Sequence, residues 1–116
     1  MAKVNYDIDV YCWEELTCKV HVRGTDVTFE NFTDKVIMLP FGVRTSVTYQ
    51  DLLNFYESRC FPKERENCKE ILNLMGLEYY DEEAICRITH GTQFDDFMWM
   101  NFSDGEQVTF EDIRLR

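Results

Sequence analysis

The chain has 116 residues, which is enough for one domain with one hydrophobic core and too few for two. Hydrophobic residues make up 45% of it and aromatic residues 15%, a composition that excludes the disordered class. The formal net charge of -10 at pH 7 excludes a protein that binds nucleic acid by neutralising its phosphates.

The first half of the chain is expected to be rich in β-structure. Residues 16–23, LTCKVHVR, alternate between apolar and polar side chains and predict a half-buried strand. After the turn GTD, residues 27–32, VTFENF, alternate again, so the two segments predict a hairpin. Residues 35–42, KVIMLPFG, form a short apolar run and predict a third strand or an extended core segment.

The period of the apolar residues then becomes helical. Residues 48–60 predict a helix, and Thr48 followed by Asp51 three positions later resembles a capping box. Residues 62–75 predict a second helix, which starts with a proline and has Gly76 as its C-cap.

The last third predicts a short helix followed by two closing strands. Asp81 is the expected N-cap of a helix over residues 82–90. Residues 94–102 and 107–116 are predicted strands, joined by the turn SDGE. The whole order predicts a single α+β domain over residues 1–116. Its antiparallel sheet takes strands from both ends of the chain, and three helices lie between them.

A basic cluster in residues 59–72 stands out against the acidic background. Its bases are Arg59, Lys63, Arg65 and Lys69. We expect a structural network in which Arg59 or Arg65 reaches the pair Asp95–Asp96 and ties the helices to the strand that holds Trp99. A solvated face with local ion pairs and a functional basic patch are the alternatives.

The same region carries a family resemblance. Its pattern is Arg59-x-x-Pro62-x-x-Arg65, Ile71-Leu72, Gly76-Leu77, Asp81, His90-Gly91 and Asp96-x-x-Trp99. Over residues 52–99 it resembles a segment of HipA-like proteins from Firmicutes, which implies a non-catalytic helical module placed before a kinase domain. The 116 residues leave no room for a kinase domain and contain no Gly-rich phosphate loop or catalytic Asp motif, so only architecture is carried over. The expected structural residues are Arg59, Pro62, Arg65, Gly76 and Trp99.

The cysteines and histidines point to neither a metal site nor a catalytic site. Five cysteines, none spaced as CxxC, indicate free thiols in a reduced, cytoplasmic protein. Cys86 and His90 share one face of a short helix, but zinc sites usually show tighter ligand pairs. The acidic surroundings disfavour a thiolate, and His90 is more simply a helix C-terminal residue. We therefore expect no cofactor, no metal and no catalytic residue. With no membrane-length apolar run and no signal segment, we also expect no membrane contact.

Negative charge is concentrated between residues 78 and 112, where ten acids accompany one base, Arg87. This segment holds almost all the net charge and is expected to face a basic surface on a protein partner. The candidate contacts are Glu78, Asp81, Glu82, Glu83, Asp95, Asp96, Asp104 and Glu106. A solvated acidic face without a partner is the simpler alternative.

Three functions are open at this point. The first is a non-enzymatic acidic interaction protein, in its most concrete form a phage or mobile-element inhibitor. It would occupy the phosphate-binding groove of a host nucleic-acid enzyme as a nucleic-acid mimic, as some anti-CRISPR proteins do, without binding nucleic acid itself. The second is an accessory or antidote-like module that binds a HipA-like kinase or toxin through an apolar helix face and Trp99. The third is a small enzyme or metal protein. The oligomeric state is left open.

Overall fold

The computed structural model describes residues 5–93 and 97–114, in which a four-stranded antiparallel sheet packs against helices. The strands are β1 (Asn5–Cys12), β2 (Glu15–Arg23), β3 (Asp26–Asn31) and β4 (Met98–Phe102). Their order across the sheet is β3-β2-β1-β4, so β4 joins the three N-terminal strands beside β1. The predicted α+β class and the sheet built from both ends of the chain are confirmed. The central strand β1 was not predicted, although NYDIDVYC alternates as a half-buried strand does.

Three helices follow the N-terminal strands, and a fourth closes the described chain. They are α1 (Tyr49–Ser58), α2 (Cys68–Met75), α3 (Glu82–Thr89) and α4 (Phe110–Arg114). The capping box of α1 is confirmed: the Thr48 hydroxyl accepts from the Asp51 N–H, and the Asp51 carboxylate accepts from the Thr48 N–H. Gly76 ends α2 in the left-handed region at φ 79, and Asp81 caps α3 by accepting from the Ala84 N–H.

Two predicted elements differ from the structure: a helix that starts later than predicted and an apolar run that does not form a strand. The predicted helix over residues 62–75 begins only at Cys68, because the backbone bonds Arg65 to Pro62 and Cys68 to Arg65 form separate turns before it. The apolar run over residues 35–42 is not a strand. It contains a 3-10 turn at Val36–Met38 in which Ile37 is 91% exposed. Phe41 of the same run is buried in the core, so the alternative of a core segment holds at that residue.

The predicted closing strand over residues 107–116 was wrong. The Asn101 side chain bonds the N–H and the C=O of Val108, at 3.1 and 3.0 Å, and so occupies both backbone groups that a strand partner would use. Thr109 and Asp112 then cap each other, with the Asp112 carboxylate accepting from the Thr109 N–H at 2.9 Å. Local capping thus starts a helix at Phe110.

The core lies between the inner face of the sheet and the helices α1 and α3. Fully buried side chains of β1, such as Ile8, share it with Leu52 and Tyr56 of α1 and with Cys86 of α3. The opposite face of the sheet is partly covered near β4 by the segment that leads into α4, through the Asn101 contact. The fold therefore has a packed inner face and a partly open outer face.

Gly91 provides a test of packing against the core. A Cβ at this position would clash with Cε of the fully buried Met100 side chain, and the φ of Gly91 is +68. We expect Gly91→Ala to lower the free energy of unfolding by about 2–3 kcal/mol, through left-handed strain and overpacking together. Gly24 is the matched control, because its φ is +64 but a Cβ would have nothing within 4 Å. Gly24→Ala is expected to cost about 1 kcal/mol in urea denaturation. Equal losses would contradict the steric explanation.

Candidate functional site: an aromatic groove with an acidic rim

Among the described residues, the predicted partner-binding acids are not all exposed. Glu78 and Glu106 are exposed, whereas Asp81 is the half-buried N-cap of α3 and Glu82 is half-buried in its first turn. Asp95 and Asp96 lie outside the described residues. Of these four described acids, two face solvent and two belong to the start of α3.

Two other predicted acids, Glu83 and Asp104, are brought together by Arg87. Arg87 Nε lies 3.1 Å from Glu83 Oε2, and Arg87 Nη1 donates to Asp104 Oδ1. The guanidinium carbon lies over the rings of Tyr6 and Phe102, 4.8 and 4.4 Å from their centroids. The Tyr6 hydroxyl donates to Glu83 Oε1 at 3.0 Å. These two carboxylates thus help hold α3 and the β4 turn against the sheet.

The predicted structural residues have different positions. Arg59, only 7% exposed, donates from Nε to Gly91 O at 2.8 Å and from Nη2 to Met98 O at 3.0 Å. It joins the end of α1 to the segment after α3 and to β4. Pro62 and Arg65 are exposed and share a backbone turn. The predicted contact with Asp95 or Asp96 lies outside the described residues.

Trp99 is 3% exposed and is part of the outer face of the sheet. Its ring stacks on Tyr11 with 4.3 Å between centroids and 10° between planes. Its indole N–H donates to Trp13 O at 2.7 Å. Its ring is covered by its own chain, so Trp99 does not form the exposed apolar surface that the accessory-module hypothesis assigns to it.

The stacked pair Tyr11–Trp99 instead belongs to a groove of about 560 Å³ between the sheet and the α4 segment. Its remaining lining residues are Glu14, Val108, Thr109, Phe110 and Glu111. The volume falls in the range of small-ligand and side-chain pockets, ~300–1,000 Å³. Aromatic residues line it from both the sheet and the α4 segment, and the exposed residues Glu14 and Glu111 add negative charge at its rim.

Trp13 extends the aromatic surface beyond the groove. It is 50% exposed, its ring stacks on Phe97 at 3.7 Å, and it lies 5.7 Å from the ring of Phe110. It occupies the two-residue turn between β1 and β2 with φ 56, a left-handed conformation that costs a non-glycine residue of order 1–2 kcal/mol. The sequence analysis missed Trp13. The available signal was a tryptophan in a short hairpin turn, where glycine or asparagine is usual.

The chemistry of the groove suits recognition of a cation. Aromatic faces attract ammonium and guanidinium groups, and nearby carboxylates add Coulomb attraction. None of the residues that line the groove is a cysteine, histidine or serine. Within residues 5–93 and 97–114 no group of three or more His, Cys, Asp or Glu could hold a metal ion. His90 is the buried C-cap of α3, and its Nδ1 lies 2.9 Å from Met100 O.

A histidine on the outer face of the sheet makes part of the stability depend on pH. His21 Nδ1 lies 3.0 Å from Asp7 Oδ1, and Nε2 lies 2.9 Å from Glu30 Oε2. The hydrogen bond to Glu30, followed in size by the one to Asp7, raises the pKa of His21 above its ordinary value. The hydrogen bond to His21, reinforced by Arg23, lowers the pKa of Asp7.

The raised pKa of His21 predicts stability that is present below its unfolded pKa of about 6.5 and lost as the pH rises through the folded value. The lowered pKa of Asp7 adds a loss in acid, below about pH 4. The carboxylates of Asp7 and Glu30 are well exposed, so solvent weakens both ion pairs. We therefore expect His21→Gln to lower the free energy of unfolding by only about 0.5–1 kcal/mol at about pH 5.5 and by less at about pH 8.5. Urea denaturation at the two pH values measures the difference. The exposed Lys35→Gln is the control, with equal effects at the two pH values. A pH-independent loss for His21→Gln would contradict the ion pairs.

Comparisons with known proteins identify no relative of this chain. No helix in the described parts of the chain has the length and apolar character needed to cross a membrane. No protein-family model, curated protein or solved structure matches the chain.

Proposed function

We propose that the protein is a non-enzymatic interaction protein that binds a basic segment of a partner protein. A lysine or arginine side chain of the partner enters the groove and contacts Tyr11 and Phe110, with the buried Trp99 stacked against Tyr11. The observation that carries the proposal is that aromatic lining residues and the acids Glu14 and Glu111 occur together in one groove.

Affinity in this arrangement comes from the aromatic residues more than from the charges. A cation over an aromatic face contributes ~0.5–2 kcal/mol, depending on how far it is desolvated. Exposed ion pairs add ~0–1 kcal/mol and mainly raise the association rate. Trp13 and Phe97, exposed beside the groove, supply the flat apolar area typical of binding hot spots.

The net charge of -10 favours partners that are themselves basic. Enzymes that bind nucleic acid have lysine- and arginine-rich surfaces to receive phosphates, so an acidic protein with a cation groove would compete for such a surface. The most specific form of the proposal is therefore an inhibitor of a host nucleic-acid enzyme, encoded by a phage or mobile element. Glu78 and Glu106 support it as exposed acids that steer approach.

The test uses a fluorescent arginine–glycine peptide and the same peptide with citrulline, an uncharged analogue of arginine. Phe110→Ala removes a groove wall without changing charge, and Glu78→Gln with Glu106→Gln changes charge without changing the groove. We expect the first variant to weaken binding of the arginine peptide by about 10-fold or more and the second by less than about 3-fold. Citrulline should abolish binding by the wild type. Circular dichroism and thermal melting establish that each variant is folded.

Binding of the fluorescent peptide is measured by titrating it with protein and following its fluorescence anisotropy. Two outcomes would reject the groove as the binding site. One is wild-type affinity in Phe110→Ala. The other is an equal loss in the charge variant, which would mean that the peptide follows net charge alone.

An accessory or antidote-like module that binds a HipA-like kinase or toxin has one observation in its favour. Leu74 on α2 is 90% exposed, so this helix presents an apolar side chain to solvent even though Trp99 is buried. Binding through Leu74 would survive high salt, whereas capture of a basic segment would weaken as salt screens charges beyond ~10 Å at 0.1 M. A salt-resistant complex that Leu74→Gln abolishes would favour this alternative.

A further inference from the structure

Two thiols, one just after α1 and one within α3, lie in contact beneath the inner face of the sheet. Cys60 follows the C-terminal end of α1, and Cys86 lies within α3. Their sulfur atoms are 3.9 Å apart, which is thiol–thiol hydrogen-bond distance. Cys60 is half-buried and so retains access to solvent, whereas Cys86 is completely buried. The arrangement pairs one reachable sulfur with one protected sulfur.

The backbone around the pair holds the two sulfurs toward each other. The Cys60 thiol contacts Tyr56 O at 3.1 Å, and the Cys86 thiol contacts the same oxygen at 3.5 Å. Cys60 also approaches Glu82 O, the backbone of the first turn of α3, at 3.6 Å. One carbonyl is thus shared by two thiols, and the end of α1 is held against α3 at this point.

The two thiols differ in how readily they lose a proton. The hydrogen bond from Cys86 lowers the pKa of Cys60, because it stabilises the Cys60 thiolate. Donating that hydrogen bond, together with burial, raises the pKa of Cys86. By contrast, burial raises the pKa of Cys18, within the sheet, to about 12. The more reactive sulfur of the pair is therefore also the one that solvent reaches.

We infer that Cys60 and Cys86 form a redox-active dithiol that hydrogen peroxide converts to an intramolecular disulfide. The Cys60 thiolate attacks one peroxide oxygen and breaks the O–O bond, which gives Cys60 sulfenic acid and hydroxide. The Cys86 sulfur then attacks the Cys60 sulfur, and the sulfenic hydroxyl leaves with the Cys86 proton as water. The proton that Cys60 released on forming its thiolate neutralises the hydroxide. In sum, two thiols and one peroxide give one disulfide and two waters.

The disulfide would constrain the chain and stabilise the fold. It would close the loop from Cys60 to Cys86, which spans 26 positions and contains α2. A cross-link over a loop of this size raises the melting temperature by on the order of 10 °C when it forms without strain. The sulfurs must approach from 3.9 Å to about 2.05 Å, a movement that side-chain rotation can supply.

The experiment treats the full chain with a small excess of hydrogen peroxide and then blocks remaining thiols with N-ethylmaleimide in denaturant. We expect intact mass to fall by two hydrogens before alkylation and the alkylated protein to carry three maleimides instead of five. Peptide mapping should link Cys60 with Cys86, and dithiothreitol should reverse the change. The melting temperature should rise in the oxidised wild type. Cys68→Ser is the matched control and should behave as the wild type. Cys60→Ser, at the half-buried position, should keep the reduced melting temperature after peroxide treatment.

The inference is overturned if Cys86 remains open to maleimide after oxidation while Cys60 gains oxygen atoms. A linkage of Cys60 to Cys68 in place of Cys86 would overturn it equally. Because the pair lies on the inner face of the sheet and the groove on the outer face, these outcomes are independent of the proposed binding function.

Discussion

Replacement of Arg59 by alanine is expected to lower the free energy of unfolding by about 3 kcal/mol. The guanidinium is 7% exposed and donates to Gly91 O and Met98 O, so alanine would leave these carbonyls without their charged donor and would open a cavity. The same change separates the end of α1 from β4. Urea denaturation, followed by far-UV circular dichroism, measures the loss.

Arg65→Ala is the matched control, because Arg65 belongs to the same basic cluster but is exposed. We expect its effect to stay within about 0.5 kcal/mol of the wild type. Equal effects at Arg59 and Arg65 would show that the cluster acts through general charge and would contradict a specific anchoring role for Arg59.

Replacement of Arg87 by methionine is expected to lower the free energy of unfolding by about 2 kcal/mol. Methionine keeps the apolar stem that packs on the rings of Tyr6 and Phe102 but removes the charge shared by Glu83 and Asp104. The two carboxylates would then repel each other in a partly buried position. The expected loss is smaller than for a fully buried pair, because the Arg87 side chain is 24% exposed.

A second substitution separates this charge effect from packing. If repulsion between Glu83 and Asp104 causes the loss, adding Glu83→Gln to Arg87→Met should recover about 1 kcal/mol. The exposed Glu78→Gln, added to the same background, should recover almost nothing. Identical recovery by the two glutamines would instead indicate relief of the overall negative charge.

The Arg87 network also changes how the acidic third is interpreted. The sequence shows ten acids and one base in this segment and predicts that the segment faces a basic surface on a partner, without showing whether the acids share one face. The structure assigns Glu83 and Asp104 to Arg87 and uses Asp81 as a helix cap. Under the proposed function, charge from this segment would attract a basic partner over long range, and the groove lined by Glu14 and Phe110 would make the close contact.

Most features that depend on neighbours within four residues could be predicted from the sequence, although the equally local Thr109–Asp112 cap of α4 was missed. Thr48 and Asp51 identify the start of α1, Gly76 the end of α2 and Asp81 the start of α3. These residues bond to the backbone beside them, so their effect does not depend on the rest of the fold. Alternation in β2 and β3 was equally local. Together these signals were sufficient for the α+β class.

The candidate site could not be predicted in the same way, because its contacts join distant parts of the chain. The buried Trp99 donates a hydrogen bond to Trp13 O, 86 positions away in the sequence. The Tyr6 hydroxyl donates to the Glu83 carboxylate, 77 positions away. The sequence near Trp99 does not show that its ring is covered by the hairpin turn that holds Trp13. The sequence by itself determined the local elements and the net charge. Tertiary packing decided which aromatic residues line the groove and which acids Arg87 neutralises, because burial and charge pairing depend on neighbours brought together only by the fold.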